Sequence, residues 1–141
     1  MSATQPTALT ALARTAEPHT ALRRFLALDA VVTGANGLAY LAASGPLGRL
    51  LGVDPGLLLA LGAFLTAYAA GVGLLASRAR PAALPVRVVI EANLTWAVVS
   101  CLALALWLSP TAAGAVWTVL QALTVAGFAA LQHLALKARQ H

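Results

Sequence analysis

Apolar residues run along this chain in four long stretches, interrupted by short segments rich in glycine, proline and charge. The pattern predicts helices over 25–43, 55–76, 86–108 and 112–136. Each holds about 19–25 residues, and about 20 apolar residues cross the hydrocarbon core of a bilayer. The interruptions are chemically specific. Ser44, Gly45, Pro46 and Gly48 end the first helix. Leu47, Leu50, Leu51 and Val53 then make the segment up to Asp54 a short interfacial turn of helix rather than a free loop. Asp54-Pro55 opens the second helix with an N-cap and a proline at the first helical position, where no N–H is needed. Ser77 to Pro85 reads as a basic hairpin, and Ser109-Pro110-Thr111 is short enough to force the last two helices antiparallel.

Polar positions inside the stretches are few and patterned. In the first, Asp29, Thr33, Asn36 and Tyr40 recur at i, i+4, i+7 and i+11. At about 100° per residue they fall within roughly 60° of one another, a stripe that belongs against other helices rather than lipid. The second helix has no charge. Its Gly62, Thr66, Ala69, Ala70 and Gly73 form a small-residue stripe suited to close approach, and a homodimer through this face is one expectation. The third carries Arg87, Glu91, Asn93, Thr95, Trp96 and Ser100, and the fourth brings Thr118, Gln121, Thr124 and Gln132 near one face.

Composition settles the class. Of the 141 residues, 60% are hydrophobic and only 9% charged, where soluble domains carry about 25% charged residues. Mean hydropathy is +0.84. The expected fold is all-α, an integral membrane bundle of four transmembrane helices within residues 23–137. Residues 1–22 are expected as a disordered cytoplasmic tail and 138–141 as a cytoplasmic end. A cleaved signal peptide is the rival reading of the first stretch, because Arg23 and Arg24 precede it; Asp29 and Asn36 inside its apolar part speak against that.

The net charge of +5 and a pI near 10.8 do not indicate nucleic acid, because the cations sit at the ends of apolar stretches instead of clustering with aromatics. Arg14, Arg23, Arg24, Arg78, Arg80, Arg87, Lys137 and Arg139 fall on one side of a four-crossing topology and Arg49 alone on the other. The positive-inside rule then puts both termini in the cytoplasm. Helices one and three also begin alike, Arg24 before Asp29-Ala30 and Arg87 before Glu91-Ala92, which suggests a faint two-fold relation between helix pairs.

That relation would bring Asp29 and Glu91, the acids inside the spans, to a similar depth. Acids in a membrane are expensive, so each is either a functional group or a paired one. Glu91 lies four residues after Arg87, a spacing that permits an ion pair, and Asp29 has Arg23 and Arg24 nearby. Both readings stand. Asn36 and Gln121 are read as interhelical glue or as the lining of a small pocket. Trp107, Trp117 and Tyr40 fit an interfacial aromatic belt, and Trp96 fits core packing or a ring beside a cavity. Cys101 is read as a packing residue. His19, His133 and His141 have no partners at ligand spacing, so no metal or cofactor is expected. Phosphate-binding glycine loops, nucleophile elbows and zinc-protease motifs are all missing, and no catalytic residue is assigned.

The segments LRRFLALDAVVTGANGLAYL, SGPLGRLLGVDP and VRVVIEANLTW resemble small four-helix membrane proteins of high-GC bacteria, over about Leu22 to Leu136. The resemblance implies a bacterial inner-membrane location and brings no activity or site residues with it. DoxX-like proteins and small multidrug transporters are similar in architecture alone. Two main functions are therefore weighed. One is a structural, accessory or partner-binding membrane protein, with the lipid bilayer, a second copy or another membrane protein as partner. The alternative is a proton-coupled transporter of a small cation or amphiphile working through Asp29 and Glu91. A membrane enzyme or quinone-linked accessory, with Trp96 and Tyr40 lining a lipid-accessible pocket, is a third reading.

Overall fold

The computed structural model describes residues 18–106 and 109–139. They form five helices and, among the described residues, no strand: α1 (Pro18–Ala42), α2 (Ser44–Leu51), α3 (Pro55–Ala76), α4 (Ala83–Leu106) and α5 (Ala112–Arg139). All but α2 are long and apolar enough to cross a membrane. The molecule is a multi-pass membrane protein by that measure.

Local chemistry sets the boundaries. The Asp54 side chain accepts from the Leu57 N–H at 3.1 Å, with Pro55 in the first turn, so the expected cap is present. The short turn foreseen after the first helix is α2. It ends at Gly52, whose φ of 70° is left-handed and whose N–H bonds to the Gly48 carbonyl. Thr111 starts α5. Its Oγ1 accepts from the Gly114 N–H at 3.1 Å and donates to the Leu50 carbonyl at 2.7 Å, while its own N–H reaches Leu51 O at 3.2 Å. One threonine thus caps a helix and ties the α4–α5 turn to α2.

The first helix begins at Pro18, not near Phe25. Residues 18–22, assigned from sequence to a disordered tail, are helical, and Ala21 and Leu22 are buried in the core. The physical reason is packing. Leu22 and Leu26 meet Val72 and Ala76 of α3, Val86 and Ile90 of α4 and Leu136 of α5 in one apolar cluster at the end of the bundle where α1 begins and α5 ends. The rest of the tail lies outside the described residues.

Helix α1 packs chiefly on α3 and α4 chiefly on α5; α1 also touches α5, and of the helix pairs in contact α3 and α4 meet least. The α1–α3 contact is backbone on backbone. A Cβ at Gly37 would stand 2.7 Å from Thr66 Oγ1 and 2.8 Å from the Thr66 nitrogen, and one at Gly62 would stand 2.8 Å from Gly37 O. Gly73 and Ala69 continue the seam against Ala30 and Gly34. The Gly62–Gly73 stripe, the face expected for a homodimer, thus packs inside the chain against the matching small residues of α1.

The distribution of polarity is inverted relative to a soluble protein. Leu74, Leu84, Val31 and Leu123 are among many large apolar side chains that are exposed, while Asp29, Thr33, Asn93 and Gln132 are buried. An apolar solvent outside and a polar layer inside explain both halves of that pattern.

Candidate functional site

Four helices send side chains to one buried polar layer. Asp29, fully buried on α1, accepts three hydrogen bonds: from Thr33 Oγ1 at 3.0 Å to its Oδ1, and from Asn93 Nδ2 at 2.8 Å and Gln132 Nε2 at 2.9 Å to its Oδ2. Asn93 Nδ2 is also 3.2 Å from Gln132 Oε1. The Tyr68 hydroxyl of α3 donates toward Asn93 Oδ1 at 3.2 Å and lies 3.3 Å from the Val89 carbonyl. At ~1.5 Å per residue these groups sit roughly 10–16 Å from the terminus-bearing ends of their helices, which is why they form a single layer.

All three donors to Asp29 are uncharged. The expected arginine partner is not there: Arg23 Nε instead donates to the Ala76 carbonyl at 2.9 Å, at the C-terminal end of α3, and Arg24 is exposed. A carboxyl group desolvated this fully and held by neutral groups alone is costly, and removing any donor would raise that cost.

Glu91 takes no part. The buried positions of α4 are Val86, Val89, Ile90 and Asn93, and two residues turn a helix by about 200°. With Asn93 inside, Glu91 must be outside, and it is exposed, as is Arg87. Among the described residues the Arg87–Glu91 ion pair is not formed. The two-fold relation fails on side chains: the group of α4 that answers Asp29 is the amide of Asn93.

Beside the polar layer lies a cavity of about 710 Å³ between the α1–α3 and α4–α5 pairs. Thr33, Tyr68 and Asn93 belong both to the layer and to the cavity wall, so Asp29 stands one side chain behind it. Asn36 and Gln121 also line it, the pocket reading given for them from sequence. Trp96 lines it as well, with its Nε1 donating to Gln121 Oε1 at 2.7 Å, and Phe64 stacks on Trp96 with ring centroids 5.9 Å apart. Trp117 donates to the Tyr40 hydroxyl at 2.7 Å, which joins α5 to α1 above the cavity instead of leaving both rings in a belt. Trp107, the third belt candidate, lies outside the described residues.

The volume and the few polar groups on a mainly aliphatic and aromatic wall are those of a small-molecule site. Phe64 is 55% exposed and Val31 67%, so the cavity reaches the outer, lipid-facing surface. Among the described residues no cluster of His, Cys, Asp and Glu has the spacing for a metal. No known family, curated protein or solved structure matches the chain.

The sequence singles out Asp29 and Thr33, while Asn93 and Gln132 stand out only as polar positions on their helices and are not assigned to the site. Gln132 lies eleven residues after Gln121, the same spacing that defines the α1 stripe, and that was the available signal. Tyr68 carried none beyond being polar in an apolar helix.

Proposed function

We propose that this protein is a small multi-pass protein of the bacterial inner membrane that takes an amphiphile or lipophilic cation from the bilayer into the central cavity, with Asp29 as its counter-charge. The observation that carries the reading is Asp29 itself, fully buried, without a cationic partner and one side chain from an open apolar cavity. At about 7 Å and an effective dielectric of ~20, a unit cation in the cavity gains about 2 kcal/mol from the carboxylate, roughly 30-fold in affinity. Thr33 adds a further property. Its hydroxyl both donates and accepts, so a proton shared with Asp29 is accommodated without moving heavy atoms. This supports proton-coupled release of the cargo, now through Asp29 without Glu91. The eight-to-one distribution of Lys and Arg supports cytoplasmic termini.

The test is binding of tetraphenylphosphonium to the purified chain, read by quenching of Trp96 and Trp117. Asp29→Asn is expected to weaken it about 30-fold, and a neutral aromatic of similar size is expected to bind both forms alike. Equal binding of the cation to both forms overturns the reading.

A structural role is the second reading, favoured by one observation: the Asp29 layer joins all four membrane-length helices. An Asp29→Asn protein that loses stability while keeping tetraphenylphosphonium affinity would select it.

A further inference from the structure

The α3–α4 seam, where the bundle is least closed, carries a second hollow on the terminus-bearing side of Tyr68. It measures about 550 Å³ and lies between Gly71, Leu74 and Leu75 of α3 and Leu84 and Val88 of α4, with Arg78 at its mouth. The walls are aliphatic, and Arg78 is the one charged side chain that lines them. A Cβ at Gly71 would meet nothing within 4 Å, so this glycine leaves open space in the groove floor.

Two basic groups of this end have protein acceptors, and of the remaining ones Arg78 alone lines the hollow. Arg23 donates to the Ala76 carbonyl and Arg139 to the Pro81 carbonyl. Arg78 is exposed, and among the described residues no such bond occupies it. An aliphatic channel along two helices that ends in an unoccupied guanidinium matches one kind of molecule, with a hydrocarbon chain and an anionic head. Arg80 and Arg87, both exposed near the same end, add positive potential that disfavours a head bearing its own cation.

We infer that this groove is a binding site for one anionic phospholipid, with an acyl chain along Gly71, Leu74, Leu84 and Val88 and the phosphate on Arg78. It is independent of the central cavity, from which the Tyr68 contact to Val89 and Asn93 separates it.

The experiment uses the full chain in detergent, titrated with phosphatidylglycerol or phosphatidylcholine, with the unfolding temperature and the number of lipids retained in native mass spectrometry as readouts. Phosphatidylglycerol is expected to raise the unfolding temperature by about 3–5 °C more than phosphatidylcholine and to be retained at one per chain. Arg78→Gln removes the difference by deleting the head contact, and Gly71→Leu removes it by filling the channel. Both positions are exposed, so both variants keep the fold. Arg80→Gln, a change of equal charge on the same turn but outside the groove, retains it. Equal responses to the two lipids, a preference that survives either groove variant, or an equal loss in Arg80→Gln overturns the assignment.

Discussion

Asp29 and Gln132 stand 103 positions apart in the chain and meet at 2.9 Å inside the bundle. Their contact closes α1 onto α5, and Asn93 bonds to both. The same carboxyl therefore organises the interior and faces the cavity through its neighbours.

Replacing Asp29 by Leu leaves the buried amides of Asn93 and Gln132 without their shared acceptor. A loss of about 2–3 kcal/mol is expected from those unmet donors. Gln132→Leu in the same background should cost about 1 kcal/mol less than it does alone, because the bond it makes to Asp29 is already gone. Reversible unfolding in mixed micelles measures both. Additive losses would mean that the two side chains do not share a bond.

Tight helix contact predicts opposite outcomes at two glycines of neighbouring helices. Gly37→Ala drives a methyl group against the Thr66 backbone, so about 1–3 kcal/mol should be lost. Gly71→Ala enters open space and gains helix propensity, up to about 1 kcal/mol. Melting temperatures of the two proteins should move in opposite directions.

Thr111→Val removes both the α5 cap and the tie to Leu50 while keeping the side chain's shape. The expected cost is about 1–2 kcal/mol, with faster amide exchange in the first turn of α5 and at the C-terminal end of α2 as the local signature.

Glu91→Gln should leave tetraphenylphosphonium affinity unchanged, because Glu91 faces away from the cavity. Phe64→Ala, by contrast, removes the ring that stacks on Trp96 and Tyr68 at the exposed edge of the site. Release of the bound cation should then accelerate, and stopped-flow recovery of tryptophan emission measures it.

The bundle, its three turns and the inward stripe of α1 were legible because each rests on local chemistry. Apolar length gives the spans, Asp54-Pro55 gives a cap, and an acid, a hydroxyl and an amide on one helix face imply company. What escaped depended on how helices are rotated against each other. Glu91 drew attention as an acid, yet rotation puts Asn93 inside, and a charge draws the eye more readily than an amide. The Gly62 stripe was correctly read as a contact surface, but sequence does not say whether the opposing surface belongs to the same chain. The early start of α1 follows from Leu22 filling a core that only the other three helices create.

The ties at the two ends of the molecule limit how it can move. Thr111 fastens the α4–α5 turn to α2 at one end; at the other, Arg139 reaches the Pro81 carbonyl and lies 3.5 Å from His19. Between them the Asp29 layer bridges the two helix pairs on one side of the cavity and leaves the other side open. A frame pinned top and bottom cannot rock open toward one aqueous side and then the other without breaking a pin. It can bow at its waist. On the function proposed above, cargo passes sideways between the lipid and the interior, and a label pair at the middle of the helices is expected to change its spacing on cation binding while pairs at the ends stay still.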